Sequence, residues 1–147
     1  MEALLLSVHV VAGILFVGPV AVATSLFPRY APVTDAAQIE RGPETARLLH
    51  RITRVYGALA LVVPVVGLVL AIVQGRTTEI WIVVAMVLTA VAGALLVLQI
   101  SPRQRDALAS PDDGTQLRRL SMVVGVFNLL WVVVVVLMIV RPGSDYS

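Results

Sequence analysis

The sequence predicts an all-α fold, a bundle of four transmembrane helices, and three observations carry that prediction. Four long apolar stretches, Leu4–Phe27, Val55–Val73, Ile80–Ile100 and Met122–Val140, fill well over half of the 147 residues. Each is close to the ~20 residues an α-helix needs to cross ~30 Å of hydrocarbon. The composition agrees: 59% of residues are apolar and 14% charged, which leaves no material for a separate soluble domain. A backbone in lipid must satisfy its own hydrogen bonds, so apolar runs of this length are helices. The prediction is one integral membrane domain over 1–147.

In the first span, Pro19 removes a backbone donor after Gly13 and Gly18, and a kink is expected near the middle. Pro28 and Pro32 are expected to close that helix, with Tyr30 at headgroup level. Residues 33–42 read as a polar loop. Gly42-Pro43-Glu44 is a good helix start, because proline suits the first position and an acid suits the positive dipole end. The helix is expected to run unbroken from an amphipathic extension, about 43–54, into the second span. Pro64 and Gly67 predict a second kink there. Gln74–Glu79 reads as a tight hairpin, which makes spans two and three antiparallel neighbours, and Trp81 stands where an interfacial aromatic belongs. The third span sets Ala85, Thr89 and Gly93 four residues apart, a stripe that lets another helix approach closely. Ser101-Pro102 is expected to end it. After a turn at Ser110–Gly114 a helix restarts near Thr115. The fourth span sets Ser121, Gly125 and Asn128 on one face before Arg141-Pro142-Gly143 stops it.

All eleven basic residues are arginine. Nine lie in the first and third connections: Arg29, Arg41, Arg47, Arg51 and Arg54, then Arg103, Arg105, Arg118 and Arg119. The positive-inside rule makes that side cytoplasmic, so both termini are expected outside the plasma (inner) membrane. The opening Met1-Glu2 lacks the basic region of a secretory signal, and the first stretch reads as a retained span. A net charge of only +2, set beside spans, fits topology and not nucleic-acid binding. On the 43–54 extension, Arg47, Arg51 and Arg54 recur at i, i+4 and i+7. They read either as a lipid-headgroup or partner patch or as plain topological anchors.

The absence of cysteine excludes disulfides, thiolate metal sites and thiol catalysis, and the absence of lysine excludes Schiff-base chemistry. No nucleophile-and-base pair, phosphate loop or zinc spacing is present. The chain is therefore read as non-enzymatic, with no catalytic residues. Inside the membrane the polar groups are His9, Thr24, Thr89 and Asn128. An intramembrane ionisable residue is a functional candidate, which puts His9 first. At 1.5 Å per residue His9 lies ~10 Å deep and Thr89 ~13 Å from the same side, while Asn128 lies ~12 Å from the other. A His9–Thr89–Asn128 cluster in the bundle core is one expectation, with His9 as interhelical glue or as a ligand. Gly13, one turn from His9, leaves room for a helix or a flat cofactor. His50 falls ~20 Å from His9, too far for both to ligate one haem. No acid lies in any span, so proton pumping lacks its usual carboxylate.

His9 followed by Gly13, Gly18 and Phe27-Pro28-Arg29-Tyr30, then Arg54, Gly67, Trp81 and Pro102-Arg103-Gln104-Arg105, resembles a family of small four-helix bacterial integral membrane proteins of unknown function. More distantly, the first span is similar to those of copper-resistance D-type membrane proteins and of the haem-binding J-type protoporphyrinogen oxidase. That second resemblance implies His9 as an axial ligand of haem b. The J-type enzyme also uses a lysine in a later span, and none exists here, so the resemblance implies haem binding without porphyrinogen oxidation.

Three functions follow as expectations. The first is action through helix–helix association, as an oligomer or an accessory subunit of a larger membrane complex, with Gly13, Ala85, Gly93 and Gly125 as packing positions and no cofactor. The second is a b-haem or quinone-linked redox protein built on His9. The third, a small-solute channel or carrier, would need a polar path that four side chains scarcely line.

Overall fold

The computed structural model describes residues 1–34 and 41–144, and within them the chain is an all-α, four-helix transmembrane bundle. Helix α1 spans Glu2–Tyr30, α2 Pro43–Val73, α3 Ile80–Ala109 and α4 Thr115–Val140, each long and apolar enough to cross a membrane. Every helix exceeds its apolar run, because the polar flanks extend the same hydrogen-bonded ladder beyond the hydrocarbon. Part of the loop expected over 33–42 lies outside the described residues.

Beyond Pro43 at a helix start, four prolines sit inside these helices, Pro19, Pro28, Pro64 and Pro102, and two kinds of turn absorb all but Pro28. Pro19 follows a wide π segment at Gly13–Val17, and Pro102 follows another at Leu96–Ile100. A wider turn opens room for the proline ring where a regular turn would clash with the carbonyl four residues back. This corrects one expectation: Ser101-Pro102 does not end α3, which continues to Ala109. Helix α1 ends at Tyr30, between Pro28 and Pro32, the two prolines expected to close it. Pro64 takes the opposite solution. The ladder tightens at Ala60 and Leu61, and the Ala60 carbonyl, which a proline at 64 cannot serve, accepts instead from Val63 N at 3.0 Å. Helix α2 therefore runs unbroken from its extension into the second span, as expected, and is interrupted at 60–61, just before Pro64, where a kink was expected.

Consecutive helices pair antiparallel, α1 with α2 and α3 with α4, but the two ends of the bundle are built differently. At the arginine-rich end, α1 also packs on α4 and α2 on the last turns of α3. A single buried apolar cluster forms there from all four helices, including Val20, Phe27, Leu49, Ile100, Leu120 and Phe127. Toward the termini, the first turns of α1 pack chiefly on α2 alone.

The connections close the arginine-rich end. Arg41 Nη1 donates to the carbonyls of Pro28, Arg29 and Ala31, at 2.6, 3.2 and 3.1 Å, placing a cation on the negative end of α1. Thr34 N bonds Asp112 O at 2.9 Å, which ties the two connections together. Asp112 in turn caps the start of α4 through Gly114 N and Gln116 N. At the other end Gly75 takes φ +68° in the α2–α3 hairpin. There Trp81 hydrogen-bonds Glu79, and the Arg141 guanidinium lies 5.6 Å from the Trp81 ring centroid, joining the end of α4 to the start of α3.

Candidate functional site

His9 projects from α1 onto α2, where its Nδ1 lies 2.9 Å from the Val63 carbonyl oxygen. A carbonyl only accepts, so Nδ1 carries the proton and Nε2 holds the ring's free lone pair. The ring fits because residue 67 is glycine: a Cβ there would stand 2.7 Å from His9 Cε1. No such contact is present at Gly13, where nothing lies within 4 Å of a Cβ position. One side of the imidazole is thus filled by α2, while its own helix is open one turn along.

The other two members of the expected polar cluster have different partners. Thr89 Oγ1 donates to Ala85 O, 2.7 Å away in its own helix. Asn128 Nδ2 donates to Ser25 Oγ at 2.9 Å. Ser25 lies 16 residues beyond His9 in α1, about 24 Å along the helix. The depth argument placed Asn128 within a turn of His9, and this pairing corrects it: α4 meets α1 toward the arginine-rich end. One turn apart on α4, Asn128 Oδ1 and Trp131 Nε1 are buried without a hydrogen-bond partner.

The packing positions divide in the same way. Ala85 is buried within the chain, whereas Gly93 and Gly125, like Gly13, have no atom within 4 Å of a Cβ position. Two glycines inside the helices admit close neighbours from another helix: Gly67, against His9, and Gly57, where a Cβ would stand 3.0 Å from Leu96 Cδ2 at the second π segment.

A second polar group escaped the sequence reading. Gln104 is fully buried, and Thr53 is 1% exposed. Thr53 Oγ1 donates its one proton to Leu49 O at 2.9 Å, so it accepts from Gln104 Nε2 at 3.3 Å. That turns Gln104 Oε1 toward His50 Nδ1, 2.8 Å away, and Nδ1 must donate. Two directed bonds thus join α2 to α3 across the core, and a third, within α2, sets their direction. The signal lay in the spacing: Leu96, Ile100, Gln104 and Ala107 share one helical face once the helix is allowed through Pro102.

Val63 and His50 are 13 residues apart on α2, about 20 Å along its axis, so the two imidazoles serve separate places. Among the described residues no group of three or more acidic or histidine side chains is placed to hold a metal ion. Compared with protein-family models, curated proteins and solved structures, the chain matches none.

Proposed function

We propose that this four-helix protein works by helix–helix association, as an oligomer or as an accessory subunit of a larger membrane complex, and not by catalysis. The observation that carries the reading is the contrast between two sets of glycines. Gly57 and Gly67 face side chains of their own chain closely, whereas Gly93 and Gly125 face open space. A glycine inside a helix costs about 1 kcal/mol relative to alanine. Small residues on an open membrane-level face supply the close backbone approach that helices use in lipid. The arginine distribution supports a plasma (inner) membrane location with both termini extracytoplasmic. The test is the oligomeric state in nanodiscs for wild type and for Gly93→Leu and Gly125→Leu. Wild type should form a complex that one or both variants dissociate without loss of helicity. A monomer in every case, with no co-purifying membrane protein, overturns the reading.

One observation favours a second reading, a b-haem or quinone-linked redox protein in keeping with the resemblance of the first span. The Val63 carbonyl fixes the His9 tautomer that leaves Nε2 able to ligate, and the helix is open at Gly13 on the same face. Haem bound there would supply one-electron chemistry, with His9 holding the iron and Val63 orienting the ring. Absorbance before and after dithionite decides: a Soret band lost in His9→Ala and kept in His50→Ala supports it. A spectrum with the protein peak alone, even after haem supplementation, removes it.

A further inference from the structure

We propose that the α2 face bearing Arg47, Arg51 and Arg54 is a binding site for one anionic glycerophospholipid, with the phosphate on the arginines and an acyl chain along the helix beyond them. A groove of about 830 Å³ runs down this face, lined by Arg47, His50, Arg51, Arg54 and then Val55, Ala58 and Leu59. From Arg47 to Leu59 it covers about 18 Å of helix axis. The upper part is cationic and the lower part apolar, the order a phospholipid presents on entering a bilayer. All three arginines are exposed, and among the described residues none of them has an acidic partner. Three guanidinium groups on one face without a counter-charge match a phosphodiester, which they can bind through charge-assisted, forked hydrogen bonds.

The site is held from behind. The bond from His50 Nδ1 to buried Gln104, itself tied to Thr53, fixes the imidazole and leaves Nε2 as its unengaged nitrogen on a residue that lines the groove. The arginines thus stand on a helix pinned to α3 by a core network, where a freely rotating extension would give only diffuse attraction. Arg105 and Arg119, two other exposed arginines at this end, do not line this groove.

The test uses the full chain in detergent micelles, titrated with phosphatidylglycerol, with phosphatidylcholine or with inorganic phosphate, and read by native mass spectrometry. Wild type should retain phosphatidylglycerol over phosphatidylcholine. Arg51→Gln/Arg54→Gln should weaken that retention about 25-fold, since each surface arginine contributes about fivefold. The charge-matched Arg105→Gln/Arg119→Gln should keep it. Ala58→Phe, which fills the apolar end and leaves every charge in place, should also weaken it. Equal loss in the two arginine pairs would mean general surface charge and overturn the site. Displacement of phosphatidylglycerol by inorganic phosphate, with no effect of Ala58→Phe, would mean a free-anion site and overturn the lipid assignment. No preference in wild type overturns it outright. Circular dichroism of each variant shows that the helices are intact, and Leu4→Ala, at an exposed site near the opposite end of the bundle, serves as a membrane-level change that leaves lipid retention unaltered.

Discussion

The two halves of this bundle solve the same problem, helices side by side in lipid, with different chemistry. Toward the arginine-rich end all four helices meet around one buried cluster that includes Phe27 at 0% and Phe127 at 2% exposure, with the connections closed over it by Arg41 and Asp112. Toward the termini the first turns of α1 rest on α2, and only Ala12 of residues 2–12 is buried. There a single side chain, His9, ties the pair to a backbone carbonyl. Lipid tails are as apolar as leucine, so burial alone favours neither arrangement; interlocking shape and hydrogen bonds decide. The comparison teaches that this chain concentrates its internal packing in one leaflet's depth and, in the other, holds the first turns of α1 to α2 by one directed bond.

The largest effect expected from this division is at the cluster. Phe127→Ala should lower stability by about 3–5 kcal/mol in an SDS titration, since it opens a cavity in packed surroundings. Leu4→Ala, at a 67% exposed site near the terminus, should change it by less than about 0.5 kcal/mol. Similar losses at the two positions would break the comparison. Next comes Gln104→Leu, which keeps the volume and deprives the His50 Nδ1–H of its acceptor. It should cost about 1–3 kcal/mol, the range for a buried donor left unsatisfied. A neutral or stabilising result would show that water serves His50 and that the network is not part of the packed half.

At the other end the expected effects are smaller and coupled. His9→Ala should cost about 1 kcal/mol, in line with interhelical hydrogen bonds measured in membranes. Gly67→Ala should also destabilise, because its Cβ would stand 2.7 Å from His9 Cε1. In the His9→Ala background that second penalty should vanish, and a double-mutant cycle reads the coupling directly. Additive losses would place the imidazole somewhere other than against Gly67.

What the sequence made legible follows from which forces act locally. The four spans were readable because hydropathy over ~20 residues leaves the chain no other structure in lipid. The response to proline was not, since a freed carbonyl can be handled by a wide turn, as before Pro19 and Pro102, or by a tight one, as before Pro64. That choice depends on neighbours distant in sequence. Depth along a helix was also readable, but which helix faces which was not. His9 therefore received Thr89 and Asn128 as expected companions, and its actual partner is a backbone carbonyl, which no pattern of side chains announces. Gln104 was missed for a related reason: it follows a proline taken as a helix end, so its place on the buried face of α3 did not register.

The smallest expected effect tests whether the two halves are independent. Asp113 is fully exposed at the start of α4, and its carboxylate accepts from Thr115 Oγ1 at 2.6 Å and Thr115 N at 3.1 Å. The side-chain bond from Thr115, then the backbone bond, hold its carboxyl below the ordinary value of 3.8. A group whose folded pKa is depressed stabilises the fold above its unfolded value, and that contribution disappears as the pH falls through the folded one. Acid below 3.8 should therefore loosen the first turn of α4, seen as faster amide exchange at Thr115 and Gln116. Asp113→Asn should remove that part of the acid response and leave exchange at neutral pH nearly unchanged, because so exposed a group is well screened. The loosening should stop within the arginine-rich half, where the Asp112 cap and the cluster around Leu117 and Leu120 hold the rest of the helix. If the Asp113-dependent change also reached the amides around Gly67 and His9, the two halves would unfold as one unit, and the thin packing near the termini would draw its order from the core below it.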